Sequence, residues 1–227
     1  TKISSIRTMP KGRKAVQTTV INESGLKGAY DFMERFLKSG QQIYVVCPLI
    51  EENPDFPLHA AESIYKYFSE DRFKNYSVGL MHGSLSSEEK NAVMEAFQKN
   101  EIQILISTTV IEVGVNVVNA NLLFVYDADR FGLATLHQLR GRVGRGDQAA
   151  YCILHSANDS LKADERLRIM ERSNDGFFIA EEDMKLRGGG DFFGTRQSGT
   201  VEFRVGDLFE NMDIMRYAKV EADAILQ

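Results

Sequence analysis

The sequence of 227 residues predicts an α/β fold, in which a doubly wound parallel sheet is followed by a helical hairpin, a glycine-rich loop and a final helix. Two observations predict the sheet. Short continuous runs of β-branched and aromatic residues are typical of strands buried on both faces. Segments with apolar residues at helical spacing lie between these runs, and repeated strand, helix, strand units favour parallel pairing.

The first part of the chain alternates helices with strands. Apolar residues at helical spacing predict a helix over residues 26–37, which ends before Gly40. The run QIYVVCPLI at 42–50 predicts a buried strand, residues 58–69 predict a second helix, and SVGLM at 77–81 predicts a second strand. This order of elements is typical of a doubly wound sheet.

A third helix is predicted after Ser86, because Ser86 and Glu89 have the spacing of a capping box. Three further apolar runs complete the predicted sheet: IQILIS at 102–107, NLLFVYD at 121–127 and AYCILH at 150–155.

Helical patterns replace the alternation beyond residue 156. Segments 159–172 and 177–187 flank SNDG, which favours a turn between two helices. A glycine-rich basic loop, RGGGDFFGTRQSG, follows, and residues 205–226 predict an amphipathic helix. The chain divides into three parts: a sheet domain at 1–156, the hairpin and loop at 157–200, and the C-terminal helix at 201–227.

The composition restricts the classes of function. With a net charge of −5, the chain lacks the excess of basic residues expected of a protein that binds nucleic acid over its whole surface. Any polyanion must therefore be bound by local clusters of basic residues. The sequence has no signal-peptide pattern and no apolar run long enough to span a bilayer, so we expect a cytoplasmic protein with no membrane partner. Cys47 and Cys152 lie in apolar runs, so we expect buried thiols and no metal site.

The stretch HQLRGRVGRG at 137–146, a tight and glycine-spaced turn, is the sharpest candidate site. Its glycines allow the backbone around Arg142 and Arg145 to approach a ligand closely, and guanidinium groups suit phosphate oxygens. We interpret this stretch as a site that stabilises charge on a transferred phosphoryl group. The alternative is a solvated basic loop.

We expect all three candidate segments to follow predicted strands, because ligands of open α/β sheets bind at the carboxyl ends of strands. The other two segments are weaker candidates. In MHGSLSSEEK, Gly83 allows backbone N–H groups to face a phosphate, although a capped loop without a ligand explains the pattern equally well. In STTVIEVGVNVVNA, Thr108 offers a hydroxyl and Gly114 a close approach, but such a stretch is also typical of a strand that ends in a turn.

The chain lacks the other half of a nucleotide site. Hydrolysis of a nucleoside triphosphate in this style needs a GxxxxGK[ST] phosphate loop and an acidic metal-binding pair. The nearest match, GGDFFGTR at 189–196, has Thr195 where the lysine would stand and follows no predicted strand. The sequence therefore predicts half of an active site, inactive as an ATPase by itself.

Five segments of the chain carry a specific resemblance: QIYVVCPLIEE, MHGSLSSEEKNAVMEAF, ILISTTVIEVGV, FGLATLHQLRGRVGRG and DGFFIAEEDMKLRGGGDFFGTRQSG. Together they resemble the C-terminal part of the RecG family, bacterial ATP-dependent DNA helicases of superfamily 2. The resemblance covers nearly the whole chain and implies that residues 1–156 form the second, RecA-like motor domain. It also implies that the hairpin and loop form the translocation element of that family.

The resemblance implies nucleotide-contacting roles for two groups of residues. Gln138, Arg142 and Arg145 match motif VI of the family, whose arginines reach the phosphates of ATP held by the first motor domain. Gly114 and Asn116 match motif V. The implied cofactors are ATP and Mg²⁺, bound mainly by that first motor domain.

The resemblance also implies DNA contacts. Gly83 and Thr108 are the candidates in the sheet domain, and Arg166, Arg187 and Gln197 match the translocation element. The implied partners are branched or forked double-stranded DNA and the preceding motor and wedge domains of the same protein. The resemblance further implies a monomer that acts on stalled replication forks and recombination intermediates and is associated with the bacterial nucleoid.

Three positions depart from the family pattern. Asn116 stands where aspartate is usual, Val118 where proline is usual and Gly189 where the family has proline. Two alternatives stay open: the corresponding fragment of the transcription-repair coupling factor, and a nucleic-acid-binding module without enzymatic activity. The acidic balance of the chain speaks against the second alternative.

Overall fold

The computed structural model describes residues 15–48, 57–108 and 117–192, which form a parallel sheet with helices on both faces. The strands are β1 (Gln17–Ile21), β2 (Gln42–Val46), β3 (Val78–Met81), β4 (Ile104–Ser107), β5 (Ala120–Val125) and β6 (Tyr151–His155). The helices are α1 (Leu26–Lys38), α2 (Pro57–Tyr67), α3 (Ser87–Gln98), α4 (Leu133–Arg140), α5 (Leu161–Arg172) and α6 (Gly176–Phe192).

The strand order is β1-β6-β5-β2-β4-β3, and every pairing between these strands is parallel. All strands therefore end at the same edge of the sheet, which we call the carboxyl edge, and start at the opposite amino edge. The predicted α/β class with a doubly wound parallel sheet is confirmed.

Successive side chains of each strand point to opposite faces, and the strands accordingly contribute to two cores. On one face, α1 and α2 pack against a core that includes Ile43, Ile104 and Leu122. On the other face, α3 to α6 pack against a core that includes Tyr44 and Leu105. Burial on both faces explains why the central strands are continuous apolar runs in the sequence.

Most predicted elements are present, with small differences at their ends. The capping box of α3 is formed, because Ser86 Oγ accepts a hydrogen bond from the Glu89 N–H and Glu89 Oε1 accepts one from the Ser86 N–H. The strand predicted over 42–50 is shorter than expected, since β2 ends at Val46. The buried state expected for both cysteine thiols is confirmed, and burial raises the pKa of each to about 12.

Two elements of the fold, β1 and α4, were not predicted from the sequence. The helical pattern of α4 was missed because a basic residue occupies a buried position. Leu133, Leu136 and Arg140 lie on one face of the helix, and all three are buried. The start of HQLRGRVGRG was expected to be part of a turn, whereas its first four residues belong to this helix.

The outer edge of β1 is covered by α5. Glu171 on α5 accepts a hydrogen bond at 2.6 Å from the Val20 N–H, and Arg168 holds the same carboxylate with N–O distances of 3.0 and 3.1 Å. An uncovered edge strand exposes unpaired backbone groups, so this contact both protects the sheet and joins the hairpin to it.

The second helix of the hairpin is longer than predicted. The glycine-rich loop was expected from Arg187 onward, but α6 continues through three glycines to Phe192. The amphipathic helix predicted over 205–226 lies outside the described residues. Within the described residues, no helix has the length and apolar character needed to cross a membrane.

Candidate nucleotide and nucleic-acid sites

The loop over residues 141–150 joins the end of α4 to the start of β6, so it lies at the amino edge of the sheet. Its last residue confirms this position, because the Ala150 carbonyl accepts a hydrogen bond from the N–H of Gln17, the first residue of β1. We call residues 141–146 the arginine loop. The expectation that HQLRGRVGRG follows a strand is therefore wrong: it covers the end of α4 and a loop that precedes β6, whereas the other two candidate segments follow β3 and β4.

Arg140 is buried and does not face a ligand. Its guanidinium group donates hydrogen bonds to the carbonyls of Met170 at 2.6 Å and Ser173 at 2.8 Å, and to Thr18 Oγ1 at 3.1 Å. It also lies 3.4 Å from His137 Nδ1. Met170 and Ser173 lie at the end of α5, whose last carbonyls have no partner within the helix and carry partial negative charge.

The contacts of Arg140 therefore have a structural role that was not expected from the sequence. Burial lowers the pKa of its guanidinium group, but arginine remains protonated in proteins. One buried cation thus joins α4, β1 and the end of α5. The helical spacing of Arg140 from Leu133 and Leu136 is the signal that could have identified it.

Arg142 and Arg145 are accessible, in contrast to Arg140. Arg145 is exposed and Arg142 is half-buried. Burial raises the pKa of Tyr44 to about 12, and the charge of nearby Arg142 opposes this rise. Gln138 lies on the exposed side of α4. The three residues matched to motif VI therefore lie on one short helix and the loop that follows it.

The conformation of the arginine loop requires one glycine, Gly144, and a second glycine lies close to a neighbouring side chain. Gly144 has φ of +75°, and a Cβ atom there would lie 3.1 Å from Ala150 Cβ. A Cβ atom on Gly146 would lie 2.8 Å from Val118 Cγ1, so the Val118 side chain would have to shift. Val118 is 58% exposed. The contact joins the arginine loop to the residues that follow the motif V segment, whereas Gly114 and Asn116 lie outside the described residues.

The carboxyl edge holds the segment after β3. Gly83 is exposed, and the neighbouring Ser84 N–H donates a hydrogen bond to His82 Nδ1 at 3.2 Å. The capping box of α3 follows directly and provides hydrogen-bond acceptors for the Ser86 and Glu89 N–H groups at the start of that helix. Gly83 is therefore accessible at the start of a helix, as an anion contact requires.

Thr108 follows β4 at the same edge but is only 3% exposed. Its N–H donates a hydrogen bond to the Met81 carbonyl at 3.1 Å, and its buried hydroxyl has no partner among the described residues. A direct contact with a DNA phosphate needs an accessible hydroxyl, so the predicted role requires Thr108 to become exposed.

Arg166 and Arg187, matched to the translocation element, line one cavity of about 410 Å³ at the carboxyl edge. Arg166 donates a hydrogen bond to the Asp129 carbonyl, and Arg187 forms an ion pair with Asp183 at 3.3 Å. Gln197 lies outside the described residues. The structure therefore brings together two of the three residues matched to this element.

A hydrogen-bonded group at the carboxyl edge was not expected from the sequence. His155 Nε2 lies 2.6 Å from a carboxylate oxygen of Glu23, and His155 Nδ1 accepts a hydrogen bond from the Asp127 N–H at 3.2 Å. Asp127 adopts a left-handed conformation, with φ of +47°. Because these residues are far apart in sequence and share no motif, only the fold brings them together. In the part of the chain that the structure describes, no three His, Cys, Asp or Glu side chains converge to hold a metal ion.

Comparison with known families gives two matches. The family described as the helicase conserved C-terminal domain matches residues 28–147. The family described as ATP-dependent DNA helicase RecG, domain 3, C-terminal, matches residues 173–227. The first match covers most of the sheet domain, from α1 through β2 to β5 and the arginine loop, and the second covers α6 and the residues that follow it.

Individual relatives agree with the family matches. The ATP-dependent DNA helicase RecG of Bacillus subtilis is 48% identical over 220 residues, which are 97% of this chain and 32% of the relative. The RecG protein of Synechocystis is 43% identical over 99% of this chain and 27% of the relative. The chain thus spans about a third of the length of these curated relatives.

Solved structures share the fold. A structure of RecG bound to a three-way DNA junction covers 92% of this chain, with a TM-score of 0.68 and 43% identity; the match spans 26% of that chain. The SWI2/SNF2 ATPase core of Sulfolobus solfataricus in complex with double-stranded DNA covers 80% of this chain and 36% of its own, with a TM-score of 0.53. At 15% identity this second likeness concerns the fold alone.

Proposed function

Because the chain belongs to the helicase conserved C-terminal domain family, we propose that it acts as the second motor domain of an ATP-dependent DNA helicase and translocase of the RecG type. The observation that carries the proposal is the arginine loop, in which an exposed Arg145 and a half-buried Arg142 follow a buried Arg140. Two accessible guanidinium groups without a phosphate loop suit a domain that completes a nucleotide site formed by another domain.

In this proposal, Arg142 and Arg145 contact the phosphates of ATP, and Gln138 helps to position them. Bound ATP with Mg²⁺ supplies the phosphoryl group, and the chain supplies positive charge for the transition state. Arginine fingers contribute about a thousandfold to a hundred-thousandfold in rate, or roughly 4 to 7 kcal/mol of barrier. Gly114 and Asn116 stay proposed nucleotide contacts.

We propose that Arg140 transmits the state of the arginine loop to the hairpin. It lies two residues before Arg142 and bonds the last carbonyls of α5, so a shift of the loop would reach the hairpin directly. Arg166, Arg187 and Gln197 would then use this movement for translocation along duplex DNA. A rigid buried contact suits such coupling better than a flexible surface ion pair.

The proposed nucleic-acid partner is branched or forked double-stranded DNA. A similar solved structure, that of RecG bound to a three-way DNA junction, supports this choice. The carboxyl edge, with Gly83 and Thr108, is the proposed DNA-facing side. The preceding motor and wedge domains are the proposed protein partners, within a monomer. A role on forks and recombination intermediates would associate the protein with the bacterial nucleoid.

The test is ATP turnover with branched DNA, measured for this chain alone and after mixing with the separately produced preceding domains. We expect no turnover from the chain alone and DNA-stimulated turnover from the mixture. Arg145→Ala should lower the stimulated rate by about a thousandfold or more. Lys74→Ala removes an exposed positive charge far from the loop and serves as the matched control.

Two results would contradict the proposal. Turnover by the chain alone would mean that it contains a complete phosphate site. A mixture that keeps its full rate with Arg145→Ala, while that variant folds normally, would mean that the arginine loop does not act on the nucleotide.

A further inference from the structure

A polar cavity lies at the carboxyl edge, between the loop after β5, the loop after β6 and the two helices of the hairpin. Its volume is about 410 Å³, within the range of ordinary ligand sites. Nine residues line it: Asp129, Asn158, Ser160, Lys162, Ala163, Arg166, Asp183, Leu186 and Arg187. None of them is aromatic, so the cavity offers no surface on which a base could stack.

The cations of this cavity outnumber its carboxylates by three to two. Lys162 is exposed and forms no ion pair with any described residue. Arg166 uses one N–H group on the Asp129 carbonyl, and its other N–H groups have no hydrogen-bond partner within the described ranges. Donors that have no partner on an exposed cavity wall are available to an anion.

Both carboxylates of the cavity are already engaged. Asp129 accepts hydrogen bonds from the Ser156 hydroxyl at 2.9 Å and from the Asn158 amide at 3.3 Å, and Asp183 pairs with Arg187. Because both carboxylates already have these partners, neither of them pairs with Lys162. Ser160, the N-cap of α5, adds the positive end of a helix to the same wall.

We propose that this cavity binds a phosphodiester of the DNA backbone, with Lys162 and Arg166 as its main contacts. The inference rests on the proposed function and names a DNA contact within it. Contacts with phosphates position a duplex without reading its sequence, which suits a translocase and a cavity without stacking residues. The cavity and Gly83 share the carboxyl edge, and β6 lies four strand spacings, or about 19 Å, from β3. A duplex that lies across this edge can contact both places.

Duplex binding by this chain tests the site directly. A short fluorescein-labelled duplex of mixed sequence is titrated with the chain at several salt concentrations, starting at low ionic strength. Lys162→Gln should weaken binding by about threefold to tenfold at each concentration and make the salt dependence shallower by about one phosphate contact. Lys66→Gln, an exposed lysine of α2 on the opposite face, is the matched control and should behave as the wild type.

Asp183→Asn is the variant that should act in the opposite direction. It removes one negative charge from the cavity and releases Arg187, so duplex binding should tighten by about twofold to fivefold. Asp71→Asn removes the same charge from an exposed position on the other face and is its control. Opposite shifts from two conservative changes are not explained by a loss of folding.

Three outcomes would overturn the proposed site. The first is no measurable duplex binding by the wild-type chain at low salt, and the second is an unchanged salt dependence in Lys162→Gln. The third is competition by ATP or inorganic phosphate that depends on Lys162, since the site would then take free phosphates rather than the DNA backbone. If ATP turnover in the mixture is normal while Lys162→Gln matches its control, only the cavity fails; if the mixture has no turnover, the proposed function fails.

Discussion

The two edges of the sheet differ in how they hold their charged groups. At the amino edge, Arg140 is enclosed by carbonyls of α5 and fixes the base of the arginine loop, while Arg145 is exposed. At the carboxyl edge, Lys162 and Arg166 line an open cavity, and Gly83 is exposed at the start of a helix. The amino edge is built around one rigid cation, whereas the carboxyl edge offers several accessible donors.

This difference supports a spatial separation of the proposed nucleotide and DNA contacts, which would then need a mechanical connection. The hairpin provides one, because both of its helices run between the edges. α5 has 12 residues and spans about 18 Å, from Ser160 near the cavity to the Arg140 contact at its other end. We infer that a movement at the arginine loop reaches the cavity through the hairpin.

The largest expected effect on stability comes from the replacement of Arg140. Arg140→Ala leaves the buried Met170 carbonyl and the partly buried Ser173 carbonyl and Thr18 hydroxyl without their partner. An unsatisfied buried group costs about 1–3 kcal/mol, and a group that water can reach costs less. We expect a loss of about 2–4 kcal/mol in the free energy of unfolding, measured by urea denaturation. Arg145→Ala is the matched control and should change stability by less than about 0.5 kcal/mol. Equal losses from both variants would remove the distinction between the two arginines.

A smaller effect is expected where α5 covers β1. Glu171→Gln keeps an acceptor for the Val20 N–H but loses the charge that Arg168 holds. We expect a loss of about 1 kcal/mol in the free energy of unfolding, in the range of a partly buried charge-assisted contact. Glu165→Gln, an exposed position on the same helix, should be neutral. An unchanged free energy of unfolding in Glu171→Gln would mean that the hydrogen bond to the Val20 N–H alone holds the hairpin against β1, without a contribution from the charge.

The smallest effect concerns pH. Burial, followed by the charge of Arg140, lowers the pKa of His137 below its ordinary value of 6.5. The unfolded chain therefore takes up this proton at a higher pH than the folded chain. The resulting stability is fully present above the unfolded pKa and is lost as the pH falls toward the folded pKa.

Thermal denaturation of the wild type and of His137→Gln checks this prediction. Between about pH 7.5 and 5.5, the Tm of the wild type should fall more steeply than that of the variant, because other groups titrate alike in both. Parallel Tm profiles would mean that the proton on His137 does not bear on the contact with Arg140.

The elements that the sequence predicts have a clear local pattern: a continuous apolar run, apolar residues at helical spacing, or a capping signal. The β2 and β4 runs are buried on both faces and are continuous apolar segments, and the capping box marks α3 by local chemistry alone. β1 and α4 escape prediction because each mixes polar residues into a short element, and tertiary contacts then decide their structure. The burial of Arg140 is the clearest case.

The candidate site was predictable in its residue types and not in its arrangement. The sequence identifies Arg142 and Arg145 by their glycine-spaced pattern, but it does not reveal that their loop lies at the amino edge. The group of Glu23, Asp127 and His155 could not be predicted, since the fold alone joins residues up to 132 positions apart. The cavity at the carboxyl edge likewise depends on the way α6 folds back over α5.

One measurement tests the separation of the two edges most directly: ATP turnover of the reconstituted mixture as a function of duplex concentration. Arg145→Ala should lower the maximal rate and leave the half-saturating duplex concentration close to that of the wild type. Lys162→Gln should act mainly on the half-saturating concentration, raising it by about threefold to tenfold. If both variants changed the same parameter to the same extent, nucleotide and DNA contacts would not be divided between the two edges, and the proposed separation would be contradicted.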